Sequence, residues 1–285
     1  MDPRNLGERL ESTAALDTIA DPLASIADAL LPRGAVKDGL HGVWLGHPLH
    51  PLLTDLPIGF WTSAWVLDLL GGTKTAKAAE TLVGLGVASA LPTAAAGLAD
   101  WSELNKPERR SGAIHAIANL AATALYAASY VARRRGRRGR GVFLGMAGAA
   151  AATAGGFLGG HLSFRRAAGV NHITDAASPA DWTTLDGGLP TSNEEITTAH
   201  IEDTRVALAN ADGTPHALAA TCSHLGGPLD DGDIVDGCVR CPWHGSAFRL
   251  TDGSVARGPA TAPQPAYDVR RGDDGHLQAR RQPVP

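Results

Sequence analysis

This chain has little of several things. Of its 285 residues only 5% are aromatic, two are methionine and three are cysteine: Cys222, Cys238 and Cys241. Three cysteines in a chain this long exclude a disulfide framework. The opening residues, Met1 to Glu8, lack the basic stretch and apolar core of a cleaved export signal, although internal helices can direct insertion. The formal charge of −4 carries no basic excess for nucleic acid, so none is expected as a partner. Charge is also missing locally. Thr81 to Ala99, Gly112 to Ala132 and Gly141 to Phe164 contain no Asp, Glu, Lys or Arg.

About twenty apolar residues cross a bilayer. The uncharged runs predict helices over about 79–99, 112–132 and 141–164. A fourth, over about 52–71, spans if Asp55 and Asp68 sit near the two faces. Gly155-Gly156 and Gly159-Gly160 suit close helix approach in lipid. A soluble Ala-rich bundle is the alternative, but the uncharged runs are too long for an amphipathic surface helix. Residues 1–45 predict amphipathic helices broken by Pro22. The 46–170 stretch is thus expected to be an all-α four-helix transmembrane bundle in contact with membrane lipid.

Four antiparallel crossings place His41, His47, His50, His115, His161 and His172 at one side. Ionisable groups at a membrane face are often functional. His47, His50, His115 and His161 are therefore candidates for a haem b or quinone site, against the plainer reading of interfacial histidines bonding carbonyls. The opposite side carries six arginines within residues 133–140. The positive-inside rule makes that loop cytoplasmic and puts both termini outside. Arg137-Arg138 ahead of Val142-Phe-Leu144 also looks like a twin-arginine export signal, with an ordinary charge anchor as the equal alternative. Gly46-His47-Pro-Leu-His50-Pro, Asp55-x-Pro57-x-Gly59, Asp68, His115 and Gly159-Gly160-His161 resemble an uncharacterised family of bacterial four-helix membrane domains. That resemblance implies a bacterial plasma-membrane location and no established activity.

From about Asn171 the pattern changes to short runs punctuated by Gly, Pro, Asp and Thr. Ala211-Asp-Gly-Thr214 and Thr251-Asp-Gly253 read as hairpin turns. Many short strands predict an all-β sandwich or open barrel, here over 180–282. Within it Cys222-x-His224 faces Cys241-x-x-His244 across sixteen residues. Each loop supplies one thiol and one imidazole. A two-iron cluster needs two such pairs. A structural zinc site is the rival, but zinc motifs usually pair like with like. Gly226, Gly227 and Gly245 allow backbone N–H groups to approach sulfur. Cys238 reads as a small buried strand residue.

The motif resembles the Rieske iron–sulfur family, which implies a [2Fe–2S] cluster held by Cys222, His224, Cys241 and His244. Gly258-Pro259 fits that family's loop over the cluster. In its quinol-oxidising branch a disulfide joins the two cluster loops; those positions here are Gly227 and Trp243. Ser246 is kept, but Phe248 replaces a tyrosine that donates to sulfur. The resemblance implies one-electron transfer to a redox partner protein or quinone. Two arrangements follow. One is a ferredoxin-like carrier linking a membrane quinol or haem to an extracytoplasmic acceptor. The other is a cytoplasm-facing donor to a soluble oxidoreductase. With 41 residues after His244, and only His276 among them, a complete oxygenase subunit is not expected.

With one hydroxyl donor to sulfur missing, the midpoint potential is expected in the lower part of the Rieske span of about −150 to +300 mV. Redox titration followed by electron paramagnetic resonance reads it, and a value near the upper end would contradict the Phe248 argument.

Overall fold

A computed structural model describes residues 5–193, 195–211 and 213–283. The chain divides into two compact units, both discontinuous. One comprises residues up to Pro32 together with Leu49–Ala168. The other comprises Arg33–Pro48 and Gly169–Pro285. The 1–45 stretch, whose first four residues lie outside the described ones, is therefore shared between them. Helices α1 (Leu6–Ser12) and α2 (Asp17–Leu30) belong to the first unit, and α3 (Ala35–His41) belongs to the second.

The first unit is built on α4 (Leu49–Leu70), α5 (Ala76–Ser102), α6 (Lys106–Arg134) and α7 (Arg138–Gly160). α5 and α6 run beyond the expected stretches at both ends, because polar end-turns extend the helix past the apolar run, whereas α4 and α7 begin earlier than expected but stop short, at Leu70 and at Gly160. Seven α-helices occur among the described residues, α1–α3 within the 1–45 stretch and α4–α7 beyond it. Three of them are long and apolar enough to cross a membrane: α5, α6, and α7 with the turn that follows it. At about 1.5 Å per residue each exceeds the ~30 Å of a hydrocarbon layer. α4 is not among the three; it carries Asp55 and Asp68.

α4 packs on α5 and α7, α5 on α6, and α6 on α7. Glycine sets the approach. Trp61 of α4 stacks on Tyr126 of α6 with ring centroids 4.0 Å apart. A Cβ at Gly86 would lie 2.3 Å from the Trp61 indole nitrogen, and one at Gly148 would lie 2.9 Å from the Tyr126 ring. The small residues of these helices thus make room for the few aromatics. Ala20, Ala24 and Ala27 of α2 pack similarly against Trp101 and Ala113.

Charge inside this unit is paired. Asp68 receives both terminal guanidinium nitrogens of Arg133, and Arg138 donates to it at 3.2 Å. The Asp68 and Arg133 side chains are each 4% exposed. Two arginines of the basic loop region are thereby committed to α4. At the other end of α7 the helix widens into a π-turn, His161–Arg165.

Among the described residues the second unit holds ten strands in two antiparallel sheets. The larger runs in the order β1 (Thr183–Thr184), β10 (Leu277–Arg281), β9 (Ala266–Arg271), β4 (Thr214–Ala219), β3 (Thr204–Ala211), β2 (Ile196–Ile201). The smaller is a meander of β5 (Asp233–Val235), β6 (Cys238–Arg240), β7 (Ala247–Arg249) and β8 (Val255–Arg257). Ala211 pairs with Thr214 across the turn expected from sequence, whose Asp212 lies outside the described residues. The second turn is present too: Gly253 donates to the Arg249 carbonyl at 2.9 Å. Between the sheets lies an apolar core containing Leu218, Leu229, Val239, Phe248, Cys222 and Cys241.

Asp68→Ala leaves two arginines near the bundle interior without their carboxylate. It should cost about 3–5 kcal/mol, read as a lower unfolding midpoint of the detergent-solubilised protein; an unchanged midpoint would remove Asp68 from the framework.

Candidate metal centre

Two loops of matching construction carry the four candidate ligands. In the first, which follows β4, the Cys222 N–H donates to the Gly227 carbonyl at 2.8 Å and the Gly226 N–H returns to the Cys222 carbonyl at 2.9 Å. In the second, between β6 and β7, the Cys241 N–H donates to the Ser246 carbonyl at 2.8 Å. The Gly245 N–H returns to the Cys241 carbonyl at 3.0 Å. Each chain reversal needs a left-handed residue four places after its cysteine. Gly226 and Gly245 take it, with φ of +75° and +76°.

The loops face each other closely. A Cβ at Gly227 would lie 2.9 Å from the Cys241 sulfur and 3.1 Å from the Trp243 ring. The His224 and His244 rings stand edge-on, with centroids 5.1 Å apart. Cys222 and Cys241 are buried at 1% and 3% exposure. Their thiols share a hydrogen bond, which holds the Cys241 thiol down to about 6. N–H groups of Trp243 and His244 favour that thiolate as well. Cys222 is pushed up by the same bond and by burial, with the His224 and Leu225 N–H groups opposing. Four backbone donors therefore already serve the two sulfurs. Burial pushes His224 down to about 3, helped by the nearby His244, His41 and His172.

These residues fit a two-iron cluster. The His224 Nδ1 is buried and makes no hydrogen bond, a costly state for an imidazole unless a metal takes the lone pair. Among the described residues no three His, Cys, Asp or Glu side chains converge as a single ion requires. A zinc site needs four donors around one point. A Rieske centre needs only two for each iron.

Comparison with known proteins agrees. Residues 186–268 match the Rieske [2Fe-2S] domain family. This part of the chain is a Rieske [2Fe–2S] domain. Residues 46–172 match a second family, described as predicted membrane protein (DUF2231). Apoptosis-inducing factor 3 of Homo sapiens is 43% identical over 51 residues, 18% of this chain and 8% of that protein. The chain therefore spans under a tenth of that relative. The anthranilate 1,2-dioxygenase ferredoxin subunit of Burkholderia cepacia is 28% identical over 95 residues, 33% of this chain and 87% of that one. A Sphingomonas yanoikuyae B1 ferredoxin structure aligns at 24% identity with a TM-score of 0.32, over 36% of this chain and all of its own.

Neighbouring residues support the Rieske loops. The Ser246 hydroxyl oxygen accepts the Ala260 N–H at 3.0 Å, which ties the second cluster loop to the loop bearing Pro259. Phe248 is fully buried in the core. Sequence reasoning missed Gln264. This buried side chain accepts from the Ser223 N–H at 3.1 Å and donates to the carbonyls of Ala219 and Thr221, both at 2.6 Å. It fastens the first cluster loop to β4, and no local pattern between Pro263 and Pro265 announces it. Cys238 lies on β6, as a buried strand residue would.

The other candidate histidines separate. His50 and His115 meet, with centroids 6.4 Å apart. Each donates from Nδ1 to a backbone carbonyl: His50 to Thr93 at 2.9 Å and His115 to Gly155 at 2.7 Å. His161 does not join them; its Nε2 meets the Glu11 carboxylate at 2.8 Å, both groups buried. Gly7 makes this contact possible, since a Cβ there would lie 2.4 Å from the His161 ring. His47 lies in the other unit, with Nδ1 3.1 Å from the Pro48 carbonyl.

Gly227→Ala drives a methyl group towards the Cys241 sulfur. Purified protein should carry a much reduced iron and acid-labile sulfide content while keeping its far-ultraviolet dichroism; full cluster content would contradict the close approach. In cluster-free protein the lowered His224 pKa has a definite sign. The unfolded chain takes the proton first, so stability should fall as pH drops from about 6.5 towards 3. His224→Gln should flatten that slope in pH-dependent denaturant melts.

Proposed function

We propose that this chain is a membrane-anchored Rieske electron-transfer protein of ferredoxin-like type. The observation that carries the reading is the pair of matched loops with their buried thiols and the unpartnered His224 Nδ1. Cys222 and Cys241 would hold one iron, and His224 and His244 the other. Bound there, a [2Fe–2S] cluster accepts and releases one electron. The chain's own residues do the rest. Backbone N–H groups of His224, Leu225, Trp243 and His244 favour negative charge on the sulfurs. Gly226, Gly227 and Gly245 let them approach. Ser246 and Pro259 belong to the loops that enclose the site, and Phe248 supplies no further donor.

The anchor is proposed as four-pass, with α4 as the additional crossing beside α5, α6 and α7. Pairing of Asp68 with Arg133 and Arg138 supports this, because it neutralises the charge that sets α4 apart. The arginine-rich loop over 133–140 favours a cytoplasmic position for that end and an extracytoplasmic one for the cluster domain. Arg138 serves Asp68 whether or not Arg137-Arg138 also acts as an export signal. On the membrane side, His50 and His115 are assigned to the electron carrier, a haem or a quinol. Their Nδ1–H bonds to carbonyls make Nε2 the basic nitrogen, as a ligand or proton acceptor needs; that of His115 also has the Asn119 amide nitrogen 3.3 Å away, which a ligand would displace.

The 28% identity to a dioxygenase ferredoxin subunit favours a second reading, a tethered donor to a soluble oxidoreductase. Reporter fusions at the C-terminus and within 133–140 separate the two. An extracytoplasmic C-terminus supports the first reading, and a cytoplasmic one supports the donor. Reduced membranes should show the electron paramagnetic resonance signal of a reduced Rieske cluster. Cys241→Ser should abolish that signal, and its persistence would sink the ligand assignment.

A further inference from the structure

The second unit recruits a segment from far upstream. Residues Arg33–Pro48 pack with Gly169–Pro285 as one compact body. They lie against the loops on either side of the candidate cluster. On one side, the Gly258 N–H donates to the Asp38 carboxylate at 3.1 Å, and the Arg257 guanidinium meets the same carboxylate at 3.5 Å. Gly258 immediately precedes Pro259. A Cβ at Gly258 would lie 3.1 Å from Val43 and 3.4 Å from His41. On the other side, the Arg33 guanidinium lies against Gly245, the residue after His244. A Cβ there would come within 2.5 Å of its Nη1. His41 is 2% exposed and near enough to His224 to influence it. Pro48 closes the segment against Gly169.

We propose that Arg33 and Asp38 are positioning residues of the Rieske centre. Arg33 braces the His244 loop, Asp38 clamps the Gly258-Pro259 loop, and together they set the electrostatic potential felt by the cluster. This rests on the electron-transfer reading above. The two residues bear opposite charges at opposite loops, so their effects separate by sign. The reduced state carries one more negative charge than the oxidised state. Asp38 therefore opposes reduction and Arg33 favours it.

The test uses the full-length protein in detergent, with wild type, Asp38→Asn, Asp38→Ala and Arg33→Gln compared. Asp38→Asn keeps an oxygen acceptor for the Gly258 N–H while removing the charge. Its midpoint potential should rise, and that of Arg33→Gln should fall. Asp38→Ala also removes the acceptor, so its cluster should bleach faster than that of Asp38→Asn under an iron chelator. A merely structural role would speed bleaching without opposite shifts of potential. Shifts of one sign, or none, overturn the proposal, as does equal bleaching of Asp38→Ala and Asp38→Asn. If Arg33→Gln retains no cluster, Arg33→Lys keeps the charge without the planar fork. It should then match the wild-type potential, and a changed potential overturns the proposal. A wild-type protein with no Rieske resonance overturns the electron-transfer reading and this inference with it. A normal wild-type resonance with unmoved potentials overturns this inference alone.

Discussion

The close approach of two glycine-shaped loops is the constraint on which the cluster domain depends. Burial among Leu218, Leu229 and Phe248 by itself opposes ionisation of the thiols. They become useful only where backbone donors surround both sulfurs and the facing loop stands at a fixed distance. Left-handed turns at Gly226 and Gly245 aim the donors, and Gly227 sets the distance. The surrounding hydrogen bonds serve that spacing. Gln264 fastens one loop to β4, and Ser246 fastens the other to the stretch after Pro259.

The membrane unit follows a different rule. Its apolar surface does little to choose between one helix packing and another, because lipid is as apolar as leucine. Specificity comes from shape and from paired charge. Glycines 86 and 148 accommodate the Trp61–Tyr126 stack. Asp68 with Arg133, and Glu11 with His161, pair polar groups that would otherwise be buried alone. A π-turn beginning at His161 sits where that second pair forms, and such turns often mark functional positions.

Local pattern made the cluster motif legible. Cys-x-His and Cys-x-x-His with flanking glycines state their chemistry without reference to the fold. The long helices were legible for a similar reason, since an uncharged run of twenty residues has few other uses. Asp68 was harder: a carboxylate on an apolar helix is recognisable, but its partners on α6 and α7 are not written beside it. Among the histidines, a shared membrane face did not amount to a shared site. His50 and His115 meet, whereas His161 turns to a glutamate 150 residues upstream. Arg33 and Asp38 left no trace in pattern. An arginine just ahead of a short helix and an aspartate within it acquire meaning only through remote contacts, that of Asp38 spanning 220 residues.

That contact also bears on the order of events during synthesis. The cluster domain begins at Arg33, is interrupted by the helices over 49–168, and resumes at Gly169. It is a domain with a membrane protein inserted into it. Its upstream strap leaves the ribosome first and must wait for every helix, and then for β8, before its partner exists. Contacts this remote in sequence form late and slowly. Closure of the strap thereby follows synthesis of the helices, and a chain arrested within α4–α7 would carry the strap but no loop for it to hold.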